Sequence, residues 1–324
     1  AMQKRQMVTQ EGSNVSVCAV KGNFDDCQSG VKKIFTSEAV TDALQKGGMS
    51  FSSANSINWG RLAPQIAYYV SAYCDMLNRG DIQMGDAINV CVPTGNFGNI
   101  LAAYFAKQMG VPIAKLICAS NENNVLTDFF RSGGTYDRNR PFHTTISPSM
   151  DILISSNLER LLFLVSGYND AMVADLMKQL NETGKYSVPA DVFETIGNQF
   201  EGGFCDDVQT KQTIAQLFDE KKYLADTHTA VAVKVYEDYR ERTGDTTPTV
   251  IASTASPFKF CQSVISALGG TVSGDGTELL DQLHDMTGAP IPAPLAALSG
   301  LKPRFDLVID RENILNTVDL LGQI

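Results

Sequence analysis

Residues 87–92 form an apolar, β-branched run closed by Pro93. Thr94-Gly95-Asn96-Phe97-Gly98-Asn99 follows, and then a segment from Ile100 to Ala106 whose apolar positions recur at helical spacing. The succession predicts a buried strand, a glycine turn and a helix. The same alternation recurs on either side. Residues 15–20 alternate as a strand, Gly22-Asn23-Phe24 turns, and Asp25-Asp26 opens a helix through Phe35, where carboxylates suit the positive end of the dipole. Residues 58–78 carry Ile66, Tyr69, Val70 and Tyr73 at three- and four-residue steps, and Gly80 ends that helix. A strand over 113–119 and a helix over 121–130 complete the first half. Further along, 230–239 reads as a helix, 249–253 as a strand, 257–268 as a helix and 304–308 as a short closing strand.

Strands alternating with helices predict an α/β fold: a doubly wound, mostly parallel sheet with helices on both faces and ligands at the carboxyl ends of the strands. Three regions are expected. Residues 1–169 hold the phosphate-binding and substrate region. Residues 170–226 are polar and form a helical insertion, with 201–207 a loop of glycines and acids, and 227–324 return to the large α/β domain.

Gly95 and Gly98 sit where backbone amides converge at a helix N-terminus. Without a Cβ they let the chain approach an anion, and the unpaired N–H groups and helix dipole favour phosphate. An ordinary strand-to-helix turn has the same outline. A nucleotide P-loop is excluded because no Gly-Lys-Ser/Thr follows, and the spacing G-x-x-G lacks the third glycine of a dinucleotide fingerprint. A single phosphate monoester is the better fit.

The net charge of −10 disfavours a nucleic-acid partner. The cysteines at 18, 27, 74, 91, 118, 205 and 261 make no C-x-x-C pair, and His143, His228 and His284 lack metal-ligand spacing, so reduced thiols, no metal site and a cytoplasmic location are expected. Apolar runs fall far short of a membrane span.

Four stretches resemble threonine synthase, a pyridoxal-phosphate enzyme of the tryptophan-synthase-β-like fold (fold type II). They are Val-Lys-Gly-Asn-Phe-Asp-Asp-Cys-Gln at 20–28, Asn-Ser-Ile-Asn-Trp-Gly-Arg at 55–61, Pro-Thr-Gly-Asn-Phe-Gly-Asn at 93–99 and Ser-Thr-Ala-Ser-Pro-Phe-Lys-Phe at 253–260. They stand in the family's order over essentially the whole chain. The resemblance implies that Gly95, Asn96, Phe97, Gly98 and Asn99 hold the phosphate of pyridoxal 5'-phosphate through backbone amides and Asn side chains. Thr254 would bond the pyridine nitrogen. Asn55, Ser56, Asn58 and Arg61 would take the phosphate of O-phosphohomoserine, which the family converts with water to threonine and phosphate. Read without the family, Thr254 is a strand-end hydroxyl bonded to backbone, Asn55 or Ser56 caps a helix, and Arg61 is a solvated first-turn residue.

The family's Schiff-base lysine stands in a Phe-Lys-Asp motif, followed by Thr/Ser-Gly-Asp-Thr-Gly, and neither string occurs here. This leads to the expectation of a C-terminal fragment with an incomplete fold type II sheet and no catalytic residue of its own, inactive alone. A cut sheet would expose edges and apolar faces and favour a homodimer. Two alternatives stay open: another fold type II lyase, such as a serine/threonine dehydratase or a cysteine synthase, and a non-catalytic module that binds a phosphorylated ligand. Asp151, Asn157 and Arg160 either line the pocket or belong to a helix N-terminus.

Overall fold

The computed structural model describes residues 2–22 and 24–317. They divide into two compact units, one formed by residues up to 53 together with those from 273 onward, the other by residues 54–272. The first unit begins with α1 (Met2–Val8), β1 (Ala19–Lys21), α2 (Phe24–Phe35) and α3 (Glu38–Lys46). The second contains α4 (Trp59–Arg79), β2 (Ile88–Pro93), α5 (Gly98–Gln108), β3 (Ile113–Ser120), α6 (Val125–Arg131), β4 (Thr135–Asp137) and α7 (Leu158–Val165). It continues with α8 (Asp170–Thr183), β5 (Lys185–Ser187), α9 (Ala190–Gly197), β6 (Phe200–Phe204), α10 (Asp207–Lys221), α11 (Thr227–Thr243), β7 (Thr249–Ile251) and α12 (Cys261–Ala267). The chain then returns to the first unit with α13 (Glu278–Thr287), α14 (Ala293–Ala296) and β8 (Val308–Asp310).

In the first unit, segments from the two ends of the chain close on each other. β1 pairs in parallel with β8, Ala19 opposite Val308. Arg5 donates from Nε to the Leu298 carbonyl at 3.2 Å and from Nη2 to the Leu301 carbonyl at 2.6 Å. Arg304 N–H donates to the Val8 carbonyl at 2.7 Å.

The second unit is built on a four-stranded sheet in the order β6-β3-β2-β7, parallel throughout. Every residue of β2 is buried. Side chains alternate across a strand, and here each set meets a helix layer. Val90, Val92, Leu116 and Cys118 join the core that holds Leu62, Tyr69 and Leu101 from α4 and α5. Cys91, Ile117 and Ala119 pack on the other face with Val231, Ala232 and Val235 of α11. Burial pushes the Cys91 thiol up and that of Cys118 to about 12, so both stay protonated packing groups. α4 starts where Asn58 caps it and stops at Gly80 in the left-handed region, φ 75°.

Several expectations are corrected. The fold is mixed: β4 pairs antiparallel with β5, and β1–β8 is a separate parallel pair. The faces of the sheet are not bare, as those of a cut sheet were expected to be: helices cover both sides. Residues 170–226 are not a helical insertion. They supply β5 and β6, and the glycine-rich stretch at 201–204 is an edge strand of the main sheet. Of residues 15–20 only Ala19 and Val20 are in a strand. The helix placed from 121 begins at Val125, and residues 257–268 split into a 3₁₀ turn (Pro257–Lys259) and α12. The closing strand falls on β8 instead of 304–308. Asn23 and the side chains of Asp25 and Asp26 lie outside the described residues. No helix among the described residues is long and apolar enough to cross a membrane.

Asn89 is a polar residue inside β2, 1% exposed. Its Nδ2 donates to Asp245 Oδ2 at 2.8 Å and its Oδ1 accepts the Lys115 N–H at 3.0 Å. Hydrogen bonds from Thr247, then Tyr239 and Asn89, hold the Asp245 carboxyl well below the usual carboxylate range. A lowered folded-state value means that this stabilisation is present above the unfolded pKa of about 3.9 and is lost as the pH falls towards the folded one. Asp245→Asn is therefore expected to melt earlier than the parent at pH 7, with the gap narrowing below about pH 4. Melting curves from pH 2 to 7 check this, and a constant gap would refute it.

Candidate anion cradle and its neighbours

After β2, Thr94 N–H donates to the Ala119 carbonyl at 2.8 Å, and the chain turns into α5 through Phe97. Phe97 has φ 62° and ψ 2°. The left-handed conformation costs a bulky residue roughly 1–2 kcal/mol. The ring, 1% exposed, is held 5.8 Å from Phe200 and 6.3 Å from Phe130. A left-handed residue before a helix turns successive N–H groups into one concavity, and the first-turn amides have no partner within the helix. With the dipole, this arrangement suits an anion and is the candidate cradle.

The loop's carbonyl side is tied down by residues 155–157. Ser155 Oγ donates to the Gly95 carbonyl at 2.7 Å, and Asn157 donates to the Asn96 carbonyl from N at 3.2 Å and from Nδ2 at 2.8 Å. Ser156 Oγ donates to Asn96 Oδ1 at 3.2 Å, and the Tyr69 hydroxyl donates to Asn99 Oδ1. Each amide side chain thus keeps its NH₂ end for another acceptor. Gly95 is required by space, since an added Cβ would lie 2.6 Å from the Ser149 carbonyl oxygen. At Gly98 the nearest atom, Asn157 Nδ2, would be 3.5 Å away.

The 55–61 cluster lies alongside. Asn157 Nδ2 also donates to the Ser56 carbonyl at 3.2 Å, and Arg160 Nη2 donates to the Ile57 carbonyl at 2.7 Å. Within the cluster, Asn55 Oδ1 accepts the Ile57 N–H at 3.1 Å, and Asn58 Oδ1 caps α4 by accepting the Gly60 N–H at 2.7 Å. The cap is Asn58 rather than Asn55 or Ser56. Arg61 is exposed and donates from Nη1 to the Ala54 carbonyl. Ser56 is half-buried.

Thr254 is exposed, just past the end of β7. Ala252 N–H donates to the Cys91 carbonyl at 2.9 Å, so Thr254 follows a strand adjacent to β2 and reaches the same carboxyl edge of the sheet. Of the residues with open roles, Asn157 and Arg160 join the two loops. Asp151 is a local knot: its Oδ1 accepts from Asn121 Nδ2 at 2.8 Å, Asn123 Nδ2 at 3.1 Å and Thr145 Oγ1 at 2.7 Å. Sequence reasoning missed Asp226 and His228, a buried pair at the start of α11. The signal was there as an N-cap Asp two residues before a His.

The model of the family "Threonine synthase, C-terminal" matches residues 229–317. Human threonine synthase-like 1 is 41% identical over 267 residues, which is 82% of this chain and 36% of that protein. Threonine synthase of Pseudomonas aeruginosa is 39% identical over 82% of this chain and 54% of its own length. The pyridoxal-phosphate-bound threonine synthase of Brucella melitensis superposes with a TM-score of 0.81 at 36% identity, over 99% of this chain and 63% of that one. The chain thus spans between about a third and under two thirds of the length of these relatives. Against the expectation of an inactive fragment with an incomplete fold, the likeness runs along nearly the whole chain, with the fold formed.

Proposed function

We propose that this chain, similar to threonine synthases along nearly its whole length, binds pyridoxal 5'-phosphate at the glycine loop and acts on O-phosphohomoserine, with water, to give threonine and phosphate. The observation that carries this reading is the cradle itself, a helix N-terminus opened by a left-handed Phe97, with Gly95 packed so closely on the Ser149 carbonyl that no Cβ fits. The donor set suits a phosphate monoester: backbone amides and the NH₂ ends of Asn96 and Asn99, with no buried carboxylate among residues 94–99.

When bound, pyridoxal phosphate supplies an electron sink for the carbon chemistry. The chain's own residues then hold and orient. Amides of residues 95–99 bind the cofactor phosphate, and Thr254 bonds the pyridine nitrogen from the neighbouring strand end. Arg61, with Ser56, Asn55 and Asn58 beside it, binds the substrate phosphate. A guanidinium gives charge and a two-pronged grip there. The free thiols suit a reducing compartment such as the cytoplasm.

The test is an absorbance titration of the full-length protein with pyridoxal phosphate, followed by phosphate release from O-phosphohomoserine and, separately, turnover of serine. Release of phosphate without serine turnover supports the reading, and the reverse pattern overturns it. Arg61→Ala is expected to raise KM for O-phosphohomoserine about tenfold, as loss of a charged hydrogen bond does, with a smaller change in cofactor affinity. An unchanged KM would remove Arg61 from the substrate site.

A further inference from the structure

Asp226 is a carboxylate with no exposed side-chain surface, and His228 beside it is 4% exposed. Burial of a carboxylate requires several hydrogen bonds, and Asp226 has them on both oxygens. Oδ1 accepts the His228 backbone N–H at 2.8 Å and stands 3.0 Å from His228 Nδ1, while Oδ2 accepts the Thr229 hydroxyl and, at 3.4 Å, the Thr229 N–H. Capping of α11 accounts for the backbone bonds and the dipole favours the charge, but neither accounts for the imidazole.

The carboxylate fixes the ring's proton on Nδ1, which makes Nε2 an acceptor. Nε2 takes the Ser149 N–H at 3.2 Å. The carbonyl of that same residue is the atom a Cβ on Gly95 would strike at 2.6 Å. The imidazole therefore holds the turn that backs the glycine loop, and the Phe260 ring, 4.9 Å away, covers its face. On the other side of the carboxylate, the Thr229 hydroxyl stands 3.3 Å from that of Ser253, which also meets the Tyr223 hydroxyl at 3.0 Å. Ser253 immediately precedes Thr254.

We infer that Asp226 and His228 are positioning residues: one buried carboxylate sets the glycine loop through His228 and Ser149, and the Thr254 strand end through Thr229 and Ser253. The span between the loop and that strand end is then fixed before a ligand arrives. The role assigned to the pair rests on the reading of the loop as a cofactor cradle. An amide at position 228 separates the two bonds of the ring, since asparagine reproduces the Nδ1 side and glutamine the Nε2 side.

The experiment uses the full-length protein and the variants His228→Asn, His228→Gln and Thr229→Val. Pyridoxal phosphate affinity is read by absorbance titration, and backbone amide exchange is followed at Ser149, at 95–99 and at 252–255. His228→Asn is expected to weaken pyridoxal phosphate about tenfold and to speed exchange at Ser149 and 95–99. His228→Gln should return affinity to within about threefold of the parent. Thr229→Val should speed exchange at 252–255 and leave 95–99 slow. The inference is overturned if exchange at Ser149 and the loop does not respond to His228→Asn, or if glutamine binds no better than asparagine. A parent protein that takes up no pyridoxal phosphate, while its loop exchange still responds to His228→Asn, overturns the cofactor reading and leaves the tether standing.

Discussion

Gly95→Ala is expected to weaken pyridoxal phosphate binding by about 5–150-fold, the range that overpacking by 1–3 kcal/mol translates into. The methyl would meet the Ser149 carbonyl oxygen at 2.6 Å and Met150 Cα at 3.2 Å. Both are backbone atoms, and the turn that carries them is held by His228, so no flexible side chain can swing away. The loop must move instead, and with it the amides that form the cradle. Gly98→Ala provides the contrast. Its methyl would make an ordinary contact at 3.5 Å with Asn157 Nδ2, and the expected loss is much smaller. Titration of both variants with pyridoxal phosphate measures the difference. Equal losses would mean that the cradle is sensitive to glycine as such, and the steric account of Gly95 would fall.

Asn157→Leu is the second large effect. Asn157 is fully buried, and its Nδ2 serves the Ser56 and Asn96 carbonyls, so one amide holds the 55–61 cluster against the glycine loop. Leucine fills a similar volume but donates to neither. Two carbonyls left without that partner cost together about 3 kcal/mol, or about 4–5 °C in melting temperature for a chain of this size. Affinity for phosphate-bearing ligands should fall as well, because both loops lose their common anchor. A melting temperature within about 2 °C of the parent would show that the carbonyls find other donors.

Where periodicity and punctuation act locally, the sequence was readable. The residues 87–106 gave a strand, loop and helix within a residue or two of β2 and α5, because a fully buried parallel strand is a continuous apolar run and Pro93 ends it. Asn58 and Gly80 bracket α4 as a cap and a left-handed stop. β6 was not readable. Gly202 and Gly203 look like a loop, yet they are glycines because the strand lies tight against its neighbours: a Cβ at 202 would be 3.0 Å from Thr127 Cα, and one at 203 would be 2.5 Å from Val235 Cγ1. That reason is tertiary and leaves no local pattern. The helix expected from Asn121 fails for a similar cause, since Asn121 and Asn123 are drawn off to Asp151 30 and 28 residues away.

In the loop, the glycines were singled out because the missing Cβ lets the chain approach an anion, whereas the left-handed residue is Phe97, held by an aromatic cluster that comes from α6 and β6. The Asp226–His228 pair carries a local cap signal, but its tie to the loop does not, because its partner Ser149 is 79 residues away.

The pairing of β1 with β8 has a consequence for how the chain is made. The unit of residues 54–272 is continuous, so it can fold as it leaves the ribosome, whereas the unit joined by Ala19 and Val308 cannot close until its second segment has been synthesised. At 5–20 residues per second, the intervening stretch keeps β1 waiting for about 15–60 s. Throughout that interval the edge that β8 later covers is open to any other chain, so the segment carrying β1 is exposed to mispairing, and a chaperone would gain by binding it.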